Sequence, residues 1–328
     1  MVESSHTRTT PAWVKAATVA GQRFHFKTKN AFVHNTINLG AFALLLALQI
    51  ATLALHDIVS PYIYVPVAAL ILGALYFACI ILVVHEASHN MFVLLKERKA
   101  QRFWNRFFAW PVSVLYAASH YGKHWERGHL EHHVRPLLPT DPQRFNVLVG
   151  RTLYKRLALE LFVPGYLFLA RTVLRKRAPG GKSSSSLWVI VLFVALWAGI
   201  LTLLTMYVGG HVALALYLGM HVLSCLNQIK GSLEHGGRIG HEEAFYLRSR
   251  TTLFFLRRLL MPFNITLHFE HHLNFCVPWY DLVSYHRALR PIVPRNVWDA
   301  VINYHPYMQM SGALGGVPDA SQEAHRST

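Results

Sequence analysis

The chain is 328 residues long, 53% hydrophobic and only 15% charged, with a mean hydropathy of +0.27; soluble domains average about 25% charged, so an ordinary soluble domain is set aside. The formal charge of +16 could signal a nucleic-acid partner, but the basic residues flank apolar runs and form no recognition motif, so none is expected; attraction to anionic lipid headgroups and an orientation signal account for the charge. Three cysteines without paired spacing, Cys79, Cys225 and Cys276, argue against a disulfide framework or a zinc ribbon.

In chain order, residues 1–38 read as a basic cytoplasmic or interfacial segment, partly helical along the membrane surface. They hold no short apolar stretch followed by a small-residue cleavage site, so no secretory signal is expected. Apolar runs at about 39–56 and 61–84 form a first transmembrane hairpin, and runs at about 187–208 and 211–229 a second, each near the ~17–25 residues that cross a bilayer. Between the hairpins, 103–119 is interrupted by Asn105, Arg106 and Pro111, and 157–170 has basic edges; both read as interfacial helices, with a re-entrant placement left open. Residues 178–186 are a Gly/Ser-rich linker, and 291–328 read as a cytoplasmic tail that turns polar from about 315. The expected fold is therefore an all-α integral membrane protein: one domain over 39–290, four transmembrane helices in two hairpins, interfacial helices and a histidine-rich cap. No internal repeat or separate soluble domain is visible.

The charges orient this arrangement. Of 32 Lys and Arg, five lie in 1–38, seventeen in 85–186 and ten from Lys230 onward, and both short connectors between paired spans have none. The positive-inside rule then puts both termini and the middle segment in the cytoplasm.

That same side carries three clusters: His85-Glu-Ala-Ser-His89, His129-Leu-Glu-His132-His133 and His268-Phe-Glu-His271-His272. Positions i, i+3 and i+4 share a helix face, so each cluster can aim imidazoles at a common point. Eight convergent imidazoles exceed what one four- to six-coordinate ion can use, and two metal ions are the economical reading. His235, after Glu234 and just beyond the last span, is the choice for a ninth. Carboxylates beside histidines, Glu86, Glu131, Glu234 and Glu270, are candidates to accept the second N–H of a ligand from another cluster. His120 and His124 have ligand spacing too and stay open. His6, His25, His34, His56, His305 and His325 read as surface or satisfied residues, and His211 and His221 as packing residues. All-histidine coordination suits iron, copper or zinc. The first cluster also matches the H-E-x-x-H string of zinc proteases, but that chemistry leaves the other clusters idle. A metal transporter fits poorly, since its ligands belong inside the membrane.

These residues carry a resemblance. HEASH, HLEHH and HFEHH in this order, with a hairpin between the second and third, resemble the membrane fatty acid desaturase superfamily, of the bacterial acyl-desaturase type. Val277-Pro278 with Leu282 and His286, Thr140-Asp141-Pro142, and Glu234-His235-Gly236-Gly237 also look like that family, over roughly 39–290. The resemblance implies a non-haem di-iron centre on the cytoplasmic face of a bacterial inner membrane, above a narrow cavity for an acyl chain. It implies His85, His89, His129, His132, His133, His235, His268, His271 and His272 as ligands, O2 as co-substrate, and an acyl lipid or fatty acid as substrate. Desaturation is the expected outcome; hydroxylation and oxidative decarboxylation to a terminal alkene share the scaffold. No H-P-G-G string of a fused cytochrome b5 is seen, so a separate electron donor, a ferredoxin or similar, is expected.

Overall fold

The computed structural model describes residues 10–144, 147–163, 165–166 and 187–317. The expected linker at 178–186, the end of the 157–170 stretch and the chain from 318 lie outside the described residues. The described residues are mainly helical, with two two-residue strands. Helix α1 (Ala12–Gln22) lies against the cap, and α2 (Ala31–Ala54) follows, its first turn capped by Asn30 Oδ1, which accepts from the Phe32 and Val33 amides. Helix α3 (Pro61–Cys79) starts on a proline, which has no N–H to leave unsatisfied, and runs on through a π-helical stretch, Ile80–His85, into a last turn, Glu86–Ser88. Helices α4 (Arg98–Ala117), α5 (Gly128–Val134) and α6 (Gly150–Phe162) fill the middle segment. The second hairpin is α7 (Leu187–Tyr207) and α8 (Gly210–His235), and its turn needs Gly209, at φ +146°, because a Cβ there would meet the His211 ring at 2.8 Å.

Among the described residues, four helices are long and apolar enough to cross a membrane: Ala31–Asp57, Pro61–Ser88, Leu187–Tyr207 and Gly210–His235. The first begins eight residues ahead of the apolar run at 39, because His34 and Asn38 fold inward onto the backbone carbonyls of Met91 and Phe92. The last extends beyond 229 as far as His235, helped by an i,i+4 pair between Lys230 and Glu234 at 2.6 Å. Helices α3 and α8 form the buried inner pair, while α2 and α7 turn most of their surface outward. Two glycines allow the inner pair to meet backbone to backbone: a Cβ on Gly73 would lie 2.5 Å from Val222 Cβ and 2.7 Å from the Gly219 carbonyl. Gly73→Leu should therefore lower the stability of the purified protein by roughly 1–3 kcal/mol or more. Gly199→Leu, where a Cβ meets nothing within 4 Å, should stay close to wild type in the same thermal unfolding assay.

Helices α4 and α6 both pack along the bundle of long apolar helices. Tyr116 at the end of α4 donates to Gln49 Oε1 at 3.0 Å, and Gln49 lies about 16 Å further along α2 than Asn38 at the cap. Helix α6 starts where Val149 meets Gly236 and runs antiparallel to α8 until the Gly165 amide donates to Tyr217 Oη at 2.6 Å. His221, whose Nδ1 bonds the Glu160 carbonyl, is about 21 Å along α8 from His235. The charge of Glu160 is matched there by Arg156 at 2.5 Å.

The cap is built on strand β1 (Thr251–Thr252), helices α9 (His268–Leu273), α10 (Leu282–Leu289) and α11 (Arg295–Val301), strand β2 (Ile302–Asn303), parallel to β1, and helix α12 (Pro306–Ser311). Ala17, Phe269, Leu282, Tyr285, Val297 and Val301 share its apolar core. Residues 295–311, expected as part of a tail, are folded into this cap. Gln309 holds them there, donating to the Ser232 and Gly236 carbonyls and accepting from Arg250.

Candidate metal centre

Each histidine cluster is positioned by a different helix, and two of them follow π-helical stretches. Ile80–His85 precedes His89, and Tyr121–Arg127 precedes His129. A π turn winds one more residue into each hydrogen-bonded ring than an α turn, so it resets which face the following residues present. The first cluster closes the α3 span, α5 carries the second and α9 the third, and α8 ends on His235.

The nine imidazoles named above fall into two groups: His85, His89, His129, His133 and His271 in one, His132, His235, His268 and His272 in the other. Within each group the available ligand atoms all lie within 4.8 Å of one another. The division follows helix geometry. His129 and His133 are four apart and share a group, while His132, about 100° away from its neighbour, turns to the other. In α9 the pattern is the same with the roles exchanged: His268 and His272 stay together and His271 crosses over. Ring nitrogens face one another closely, with His89 Nε2 and His133 Nε2 each 3.1 Å from His129 Nε2, and His235 Nε2 2.9 Å from His268 Nε2. The buried Nε2 atoms of His85, His271 and His272 have no hydrogen-bond partner.

Protonation does not explain this crowding. Burial, reinforced by neighbouring imidazoles, pushes His89 down to about 3 and holds His129, His133, His268, His271 and His272 well below the usual histidine range. At neutral pH these rings are uncharged, with lone pairs turned toward common points. Such a donor set fits two transition-metal ions, one per group.

The outward nitrogens are held by a different set of partners. His132 Nδ1 is 2.8 Å from Asp141 Oδ2, and Asp141 also accepts from the Leu137 and Gln143 amides, both at 2.7 Å. Burial would raise the Asp141 pKa, but His132 and these donors outweigh it and keep the carboxyl below its ordinary value. His235 Nδ1 donates to the Arg248 carbonyl at 2.6 Å, and the Arg248 side chain is itself tied to the Glu242 and Pro136 carbonyls. Glu234 accepts from Lys230 on one oxygen, and its other oxygen lies 3.2 Å from His268 Nδ1 without hydrogen-bond geometry. The Gln143 amide meets His129 Nδ1 at 2.7 Å. Because an Nε2 ligand carries its proton on Nδ1, the amide oxygen belongs on that side.

Of the four carboxylates singled out from sequence, Glu234 reaches another cluster's histidine. Glu86 stays 3.4 Å from its own neighbour His85. Glu131 accepts from Thr140, and Glu270 from Thr251 and His286, so neither meets an imidazole of the two groups. Asp141, Gln143 and the Arg248 carbonyl had no assigned role in the sequence, although Thr140-Asp141-Pro142 stood out as a string.

The remaining described histidines belong to neither group. His120 stands against Trp110 and Trp188, and His124 against Trp125. His56 and His211 contact each other at the far end of the bundle, and His34 bonds Tyr280 and the Met91 carbonyl. His25 Nδ1 accepts from the Lys27 amide, while His6 and His325 lie outside the described residues.

Residues 60–301 match the model of a family described as fatty acid desaturase, a range that holds every histidine of both groups. No curated protein matches the chain. With about three quarters of its length matched, this chain, mainly helical and with four candidate membrane spans among its described residues, belongs to the fatty acid desaturase family.

Proposed function

We propose that the chain is an O2-dependent fatty acyl desaturase of the membrane, holding two non-haem irons and using two externally supplied electrons to introduce a C=C bond. The observation that carries this reading is the division of nine mostly buried imidazoles into a set of five and a set of four. Iron in those two sets supplies, when bound, the reduction of O2 coupled to removal of hydrogen from an unactivated methylene. The chain's own part is positional. Asp141 and the Arg248 carbonyl fix the tautomers of His132 and His235 and leave each Nε2 free to ligate. Phe275 stacks 5.1 Å from both His89 and His133 and keeps water from the side of the five-histidine group.

The histidine end and both termini are proposed to face the cytoplasm, of a bacterial inner membrane, because neither connector between paired spans carries Lys or Arg. The electron donor is proposed to be a separate acidic carrier, a ferredoxin or similar, drawn to a chain of net charge +16. Donor-dependent turnover should then fall as salt is added, and a salt-independent rate would remove the donor from the proposal. The reaction itself is tested by expressing the chain in a host with a simple lipid profile and analysing lipids and volatiles by mass spectrometry. New unsaturated acyl chains are expected. Hydroxy acids or terminal alkenes in their place would assign the same scaffold to hydroxylation or decarboxylation.

A further inference from the structure

Between β1 and the third histidine cluster the chain makes a finger, residues 254–263, whose two sides differ in character. The inner side, Phe254, Met261 and Phe263, joins the same apolar cluster as Leu82 and Val83 on the α3 span and Leu223 on α8. The outer side carries Phe255, Leu256, Leu259 and Leu260, all exposed, Phe255 to 98% and Leu259 to 68%. The β1–β2 ladder brings a second apolar set beside it. The strands are parallel and the Leu253 amide donates to the Asn303 carbonyl, so both chains leave the ladder at the same end. The residues leaving with β2, Tyr304, Tyr307 and Met308, are exposed as well.

We propose that finger and β2 exit together form a collar seated in the headgroup layer of the bilayer that the four spans cross. The occupant follows from continuity. The inner side of the finger is sealed to the transmembrane core, so its outer side begins where the lipid-facing surface of the spans ends. Its composition fits that depth: phenylalanine and leucine reach the acyl boundary, and tyrosines prefer the interface. Arg258, exposed between Leu256 and Leu259, has the reach to place its guanidinium at lipid phosphates. Arg257 is instead turned toward Thr266. A patch of this kind facing water would be an aggregation liability. The finger runs directly into His268, so its seat fixes the third cluster at the lipid surface, whichever reaction the centre performs.

The test is a nitroxide on Phe255→Cys, and separately on Leu259→Cys, in a Cys276→Ser background, since Cys79 and Cys225 are buried. The protein is placed in phosphatidylcholine/phosphatidylglycerol vesicles with its metals bound. Collision of the label with O2, which concentrates in lipid, is compared with collision with a water-soluble nickel chelate. Both finger positions should show an O2-to-nickel ratio several-fold higher than a label on Arg295→Cys, whose side chain is 94% exposed. Nickel access equal to that of the Arg295→Cys label would put the collar in water and overturn the proposal. So would an immobilised label with spin–spin broadening, which assigns the surface to a second copy of the chain. Two labelled positions keep the test decisive if one variant fails to fold.

Discussion

Replacing His272 by Ala should cut bound iron from about two per chain toward one, whereas His271→Ala should retain more metal, and both should lose turnover by at least ~100-fold. The two residues are adjacent, yet α9 turns them to different groups, His271 to the set of five and His272 to the set of four. Removing one imidazole from five leaves four nitrogen donors, enough to retain an ion with its geometry spoiled. Removing one from four leaves three, and retention suffers directly. The loss of turnover is common to both because the proposed chemistry needs the pair. Iron per chain, measured on protein that still inserts into membranes and unfolds with a wild-type profile, separates the two variants. Equal metal loss would mean that the division into five and four does not describe the bound state. Retained activity would take the substituted residue off the ligand list, and one zinc per wild-type chain would revive the metalloprotease reading.

The sequence made the imidazoles legible and left their arrangement hidden, for physical reasons that can be named. Repeated H-x-x-H-H on helices announces convergence; its six histidines, with His85 and His89 of the first cluster and His235 beyond the last span, all lie in the two groups. Which neighbour serves which group depends on how each short helix is rotated, and the π stretches ahead of His89 and His129 set that rotation without a periodic signature. The same rotation explains Glu131 and Glu270. Each precedes a histidine, but a preceding residue points about 100° away on the helix, toward Thr140 in one case and toward Thr251 and His286 in the other. Asp141 sits nine residues beyond His132 across a turn, a distance that periodicity does not read. The four apolar spans were legible because long runs of one character need no tertiary context. The packing of α6 along α8 was not, since it depends on contacts such as the Glu160 carbonyl with His221 and the pairing of Glu160 with Arg156, which no apolar run announces.

Asp141→Asn should weaken metal binding or turnover by ~10–100-fold, the usual cost of losing an outer partner of a ligating histidine, while Glu131→Gln should stay within about twofold of wild type. Asp141 is fully buried and accepts from three donors at once: His132 Nδ1 and the Leu137 amide on Oδ2, and the Gln143 amide on Oδ1. An asparagine amide turned either way sets its own NH2 against at least one of those N–H groups, and a buried donor left facing a donor is costly. If the NH2 faces His132, the imidazole loses the acceptor that holds its proton on Nδ1 and its lone pair on Nε2. If it faces the Gln143 amide, the turn that carries Gln143 to His129 loosens instead. Both routes lead to a metal ligand, one in each group. Glu131 is only partly buried and accepts from the exposed Thr140, so its neutral amide should be tolerated. Chelator competition on the purified, metal-loaded variants measures the difference without relying on turnover. A Glu131→Gln defect as large as that of Asp141→Asn would restore the carboxylate next to the histidine as the partner that matters, and would mean that the contact between Asp141 and His132 does not survive metal binding.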